Sequence, residues 1–392
     1  MSFYEELDFF IYLLFALIPA IILKAKGKSL SRYILGVSIF FLLLLFRNNL
    51  VQLLYFVLYI GWEITLVFSY SCLNKRYPRK RNIYILTMFF SLFPLAICKV
   101  SGIFGESIFG FIGISYISFK VIQIIIEIYD GVIKEIKLFD TLNFLVFFPT
   151  FTSGPIDRSR RFTDDIHRDI EKKDYYTMVG IGMQKICLGV LYKFALSAIA
   201  FHYLNSVFAN RLSPLYVLGY AYTYGIYMFF DFAGYSLMAI GVSYVLGIRT
   251  PDNFRMPFIS KNITDFWNRW HISLSTWFRD FVFSRFMISS IRAKRFKNRI
   301  TTAQVGLIIN MLIMGVWHGL SLSYIAYGLY HGILLAISEK YHKESKFYKK
   351  NKNKKLYYFA SWFVTINLVM FGFLIFSGCA KTLICEYFKI LF

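Results

Sequence analysis

Long apolar runs separated by short charged segments set the pattern of this chain. The runs are Phe9–Leu23, Tyr33–Phe46, Leu50–Cys72, Ile83–Cys98, Phe109–Ile128, Met178–Val207, Leu215–Leu246, Ile300–His318, Leu322–Ser338 and Tyr357–Phe376. A helix needs roughly 20 apolar residues to cross a bilayer. The pattern therefore predicts an all-α, polytopic helical membrane protein with about 10–11 transmembrane helices plus re-entrant or interfacial helices. A transmembrane β-barrel would alternate in short segments, which this chain does not do.

Two stretches break the pattern. Asn143–Thr152 is apolar but covers only about a third to a half of a crossing, and Pro149 and Ser153-Gly154-Pro155 close it, so a re-entrant segment is expected. Ser260–Arg299 is rich in Trp, Arg and Phe. Asn262 or Thr264 can cap a helix there, and Asp265 suits its positive N-terminus. Trp267, Trp270, His271, Leu274, Trp277, Phe278 and Phe281 recur at helical spacing on one face. Arg269, Ser273, Thr276, Arg279 and Asp280 lie mostly on the other. One amphipathic helix is expected, lying in the interface or dipping in against protein. An interfacial anchor whose His271 is merely packed fits the same pattern.

Composition agrees with this picture. Of the 392 residues 57% are hydrophobic, 20% aromatic and only 17% charged; a soluble domain carries about 25% charge. The net charge of +22 collects in loops, as in Lys75–Arg81 and in Lys340–Lys355, which holds eight Lys against one Glu. Loops of this kind mark the cytoplasmic side, and with about ten spans every strongly basic loop falls there. Positive charge follows the first apolar run instead of preceding it, so that span should be retained, with the N-terminus outside. Asp157–Asp174 reads as a charged inside loop with surface-helix character and a solvated His167. Nucleic-acid binding would need a basic soluble domain, which is not visible. The five cysteines contain no C-x-x-C and read as buried thiols. One integral membrane domain is expected over 1–392: N-terminal spans at 1–140, a core at 141–340 with the re-entrant region 254–299, and a basic loop with the last span at 341–392.

Candidate chemistry is sparse. Asp231 lies inside a span, where a carboxylate normally faces a partner or a wet cavity. His202 and His342 read as incidental, and His331 as a packed core histidine. His318 lies in Gly315-Val-Trp317-His318-Gly319, one face with Met314 and Asn310 by i, i+4 spacing. The glycines either admit another helix or leave room for a thin ligand. A partly buried neutral imidazole can act as general base on a hydroxyl; a hydrogen-bonded packing histidine is the alternative. There is no G-x-S-x-G elbow, H-E-x-x-H or P-loop. After the aromatic stretch, Phe286, Met287, Ile288 and Ile291 form an apolar patch beside Arg292, Lys294, Arg295, Lys297 and Arg299. This suits an acidic partner, or equally a basic loop held on anionic lipid.

DFWNRWH (Asp265–His271), the following run ISLSTWFRD (Ile272–Asp280), and GVWHG at His318 together resemble the membrane-bound O-acyltransferases. MFFDFAGYS (Met228–Ser236) and SGPIDR…RF (Ser153–Phe162) resemble the bacterial branch of that family.

The resemblance implies an active centre of His271 and His318, with Trp267, Asn268, Arg269, Trp270, Trp277, Asn310, Trp317 and Asp231 about the substrate passage. It implies transfer of D-alanine from a phosphopantetheine thioester on a small acidic cytoplasmic carrier protein toward teichoic acid. His318 would act as base, and His271 would position or polarise the thioester. Met287, Ile288, Ile291, Arg292, Arg295 and Arg299 would dock the carrier. No bound cofactor is implied beyond the arm on the carrier. The implied partners are the carrier, cell-envelope proteins of the same pathway, the teichoic acid acceptor and membrane lipid, with no nucleic acid, in the bacterial cytoplasmic membrane. An alginate-type polysaccharide O-acetyltransferase is the alternative, and a transporter or flippase a more distant one.

Overall fold

The computed structural model describes residues 2–105, 108–206 and 213–391. Among these, every regular element is helical. Each of the ten apolar runs contains a helix. Seven are long and apolar enough to cross a membrane: Leu7–Ala25, Leu50–Arg76, Arg81–Phe104, Lys172–Asn205, Pro214–Val245, Arg299–His318 and Lys355–Phe376. Ser31–Phe46 is a shorter apolar helix, and Leu322–Glu344 is long but carries more polar residues. The fifth run starts later than its hydropathy suggests, at Ile114, because Gly113 caps that helix in the left-handed region (φ 98°).

The spanning helices have two apolar faces. Leu7–Ala25 buries Phe9, Leu13, Leu17 and Ala20 while Leu14, Phe15 and Ile18 stay exposed. The exposed face is the one hydrocarbon covers. Local signals set the ends: Asn49 accepts the Gln52 N–H, and Asn298 accepts the Thr301 N–H, each satisfying a first-turn donor. The cysteines differ from expectation. Cys72, Cys187 and Cys385 are exposed, and Cys98 and Cys379 partly so. All five are free thiols.

The chain forms two compact units. The first comprises Met1–Val190 and Gly234–Asp252. Its centre is aromatic: Phe41 stacks on Phe148 at 4.3 Å, and Phe3 and Phe9 close around them. The expected re-entrant segment is the end of a short helix, Leu138–Val146, followed by a tight turn at Phe148–Thr150, and Asn143–Phe151 is buried. Protein therefore surrounds this irregular backbone, as hydrocarbon could not satisfy it; Ser38 accepts the Phe148 N–H.

The charged segment after it is more than a solvated loop. Ser159–His167 is a helix that buries Phe162, Asp165 and Ile166. Arg161 pairs with Asp157 and Asp165, and Asp165 also accepts the Arg249 N–H at 2.7 Å. Burial pushes the Asp157 carboxyl upward, opposed by the Arg161 charge. His167, expected to be solvated, is about half exposed and lies 2.7 Å from Asp140. Replacing Arg161 by alanine strands a buried carboxylate. The expected cost is about 3–5 kcal/mol, measured as a lower unfolding midpoint in detergent.

The second unit comprises Leu191–Ala233 and Asn253–Phe392. Its frame is a hairpin of Arg299–His318 and Leu322–Glu344. Glycines set the closeness of that pair: a Cβ on Gly315 would lie 2.4 Å from the Tyr324 carbonyl oxygen, and one on Gly328 2.4 Å from that of Met311. Of the two readings open for the glycines around His318, helix approach is the one observed.

Candidate active site

The aromatic stretch is not one helix. It runs as Ile263–Trp267, a turn, Ile272–Phe278, a wide π turn at Arg279–Phe283, and Ser284–Arg292. The break falls at His271, whose backbone is left-handed (φ 45°). Its cause is tertiary. The Ile272 N–H donates to the Asn253 carbonyl at 2.9 Å, and the Arg255 N–H donates to the Arg269 carbonyl at 3.0 Å. The Ser273 N–H donates to the Asn253 side chain at 3.2 Å. Backbone groups that would have continued the helix are thus used by another segment. The apolar face survives the break: Trp267, Trp270, His271, Leu274, Trp277 and Phe278 are all buried. Ser273, expected on the polar face, is buried too, because it bonds Asn253.

Two imidazoles stand on these elements. His271 is 4% exposed, lies edge-on to Phe232 at 4.7 Å and sets Nδ1 3.1 Å from Asn253 Oδ1. It lies outside the spanning helices. Burial, then the neighbouring His318, hold its imidazole well below the ordinary histidine range, so the ring is neutral. His318 ends its helix, partly exposed, against Trp317 at 4.7 Å and Phe376 at 5.1 Å, with Tyr324 and Tyr327 further out. The two histidines, 47 positions apart in the chain, lie within electrostatic range of each other.

A cavity of about 610 Å³ lies within this unit, near the elements that carry them. Trp267, Asn268 and Asn310 line it, as do Ile272, next to His271, and Met314, one turn before His318. Neither imidazole is among its lining residues. Among the described residues, Trp267 Nε1 and Asn310 Oδ1 are buried without a hydrogen-bond partner. One donor and one acceptor are therefore left unsatisfied in the cavity wall.

The other sequence candidates are placed differently. Arg269 is held by Asp265 at 2.9 Å. Trp270 packs on Phe254, Phe266 and Phe373, and Trp277 on Phe278 and Phe281. Asp231 has its partner in Lys193 at 2.7 Å, and neither lines the cavity. Ile288, Ile291, Arg292, Arg295 and Arg299 are exposed, and Met287 partly so. His331 is fully buried among Trp267, Tyr327 and Tyr330, and neither ring nitrogen has a partner among the described residues. Sequence reasoning missed Asn253, Tyr324, Tyr327 and Phe376. Asn253 carried a faint signal, as a polar residue just after Pro251 where a long apolar run has ended.

Membrane-spanning helices, with a cavity of mixed polar and apolar lining near the elements that carry His271 and His318, describe a multi-pass membrane protein with a candidate site. The model of the MBOAT, membrane-bound O-acyltransferase family matches residues 31–379, and the chain belongs to that family. It is 39% identical over 396 residues to the teichoic acid D-alanyltransferase of Bacillus subtilis (strain 168), covering 96% of this chain and 98% of the relative. Identity to the protein of the same name from Streptococcus thermophilus is 43% over 391 residues, 94% of this chain and 93% of the relative. The probable alginate O-acetylase AlgI of Pseudomonas fluorescens is 34% identical over 270 residues, 68% of this chain but 51% of its own length.

Proposed function

We propose that this enzyme moves D-alanine from a phosphopantetheine thioester on a small acidic carrier protein toward esterification of teichoic acid in the bacterial cytoplasmic membrane. The observation that carries the reading is similarity over nearly the full length of relatives named teichoic acid D-alanyltransferase. The alginate-type alternative is weaker, since those relatives match only about two thirds of this chain.

In this reading His318 takes the proton of the acceptor hydroxyl as its oxygen attacks the thioester carbonyl. The tetrahedral adduct then collapses, the carbon–sulfur bond breaks, and the proton passes from His318 to the departing thiolate. His271 orients the reacting groups. In this reading the pantetheine arm occupies the cavity lined by Trp267, Asn268 and Asn310. The ester forms on teichoic acid directly or first on a partner's hydroxyl. Mass spectrometry of the wall polymer from cells with and without the protein tests the proposal. Loss of D-alanyl esters is expected; loss of acetyl esters instead would select the alternative.

The exposed patch of Ile288 and Ile291 beside Arg292, Arg295 and Arg299 offers the carrier an apolar anchor with a positive rim. Reversing Arg295 and Arg299 to Glu should abolish carrier binding, measured by titration of the purified carrier. Unchanged affinity would remove the patch from the docking site.

A further inference from the structure

We propose that Asn253 locks His271 in the tautomer protonated at Nδ1, so that Nε2 faces its surroundings as a hydrogen-bond acceptor and never as a neutral donor. The role this gives His271 rests on the function proposed above; the tautomer itself does not.

The argument begins with a group whose direction is fixed. A backbone N–H can only donate. The Ser273 N–H points at one side-chain atom of Asn253 from 3.2 Å, so that atom is the amide oxygen. Turning the amide over would set its NH₂ against this donor. The same oxygen lies 2.8 Å from Ser273 Oγ and 3.1 Å from His271 Nδ1. An amide oxygen cannot donate, so Nδ1 carries the hydrogen. In a neutral ring Nε2 is then the bare nitrogen. The Asn253 backbone supports the arrangement, since its carbonyl accepts the Ile272 N–H and holds the turn that gives His271 its left-handed backbone. Asn253 is 1% exposed, so water does not compete for the oxygen.

The chemistry at His271 is narrowed by this. Polarising a thioester carbonyl needs a donor, which a neutral Nε2 lacks. His271 can accept a hydrogen bond from a hydroxyl or an amide N–H, and so can align the acceptor alcohol. Asn253 is a positioning residue that acts through the imidazole.

Nitrogen-15 spectroscopy of histidine-labelled protein in detergent, with the His271 signal assigned from a His271→Asn variant, tests the tautomer. A protonated Nδ1 with a bare Nε2 at neutral pH is expected. A neutral ring protonated at Nε2, or a doubly protonated ring, would overturn the proposal. Variants at Asn253 give a second readout. Asn253→Ala should lower kcat about ten- to a hundredfold, the usual scale for partners that orient a functional histidine, with KM little changed. Asn253→Asp should restore most of that rate but move the acid limb of the pH profile upward, because a carboxylate favours the imidazolium. The titratable group acting on His271 is His318; Asp231, beside the packed Phe232, is tied to Lys193. Both stay constant across the series, so an unshifted acid limb in Asn253→Asp would count against the link. If the spectra give the expected tautomer but the wild-type protein transfers no D-alanine, the proposed function fails and the tautomer stands.

Discussion

Replacing His318 by alanine is expected to lower acyl transfer by about 10²–10⁴-fold, the range a positioned general base supplies. The helix should persist, because His318 is its last residue and is partly exposed. Carrier binding should also persist, since the basic patch lies on Ser284–Arg292 and at Arg299, the opposite end of the helix that His318 closes. The measurement pairs D-alanyl ester content with carrier affinity in one variant. Esters lost with affinity kept places His318 in the chemistry. Esters kept would leave it a packing histidine against Trp317 and Phe376, and a general-base mechanism would need another residue.

Replacing Gly328 by leucine should disrupt the helix pair that carries His318. Even its Cβ would meet the Met311 carbonyl oxygen at 2.4 Å and Gly315 Cα at 3.1 Å. Those atoms are backbone, and a helix cannot swing its own carbonyl aside as a flexible side chain can. The two helices must part, at a cost of about 1–3 kcal/mol or more, and Met311, Met314 and His318 move with them. A lower unfolding midpoint and loss of transfer are both expected. Gly61→Ala is the control: its Cβ meets nothing within 4 Å, so no loss of stability is expected there.

Much of the molecule was legible in one dimension. Lipid demands a continuous apolar run for each crossing, so the helices could be read from hydropathy. Asn262 showed its capping role by position. GVWHG marked His318 because an imidazole among glycines in an apolar run is unusual. The charged segment was harder. Arg161, Asp157 and Asp165 look solvated in sequence, yet they bury against each other and against Arg249, 88 positions from Arg161.

The order of amino acids alone established an all-helical membrane protein, its approximate crossings, its apolar faces and the two histidines worth examining. Hydropathy and helical periodicity are local properties, and a bilayer leaves few other solutions. Three further features came only with folding: the aromatic stretch breaks at His271, Asp231 belongs to Lys193, and Asn253 holds the imidazole. Each depends on a hydrogen bond or ion pair between residues distant in the chain, and periodicity carries no record of such partners.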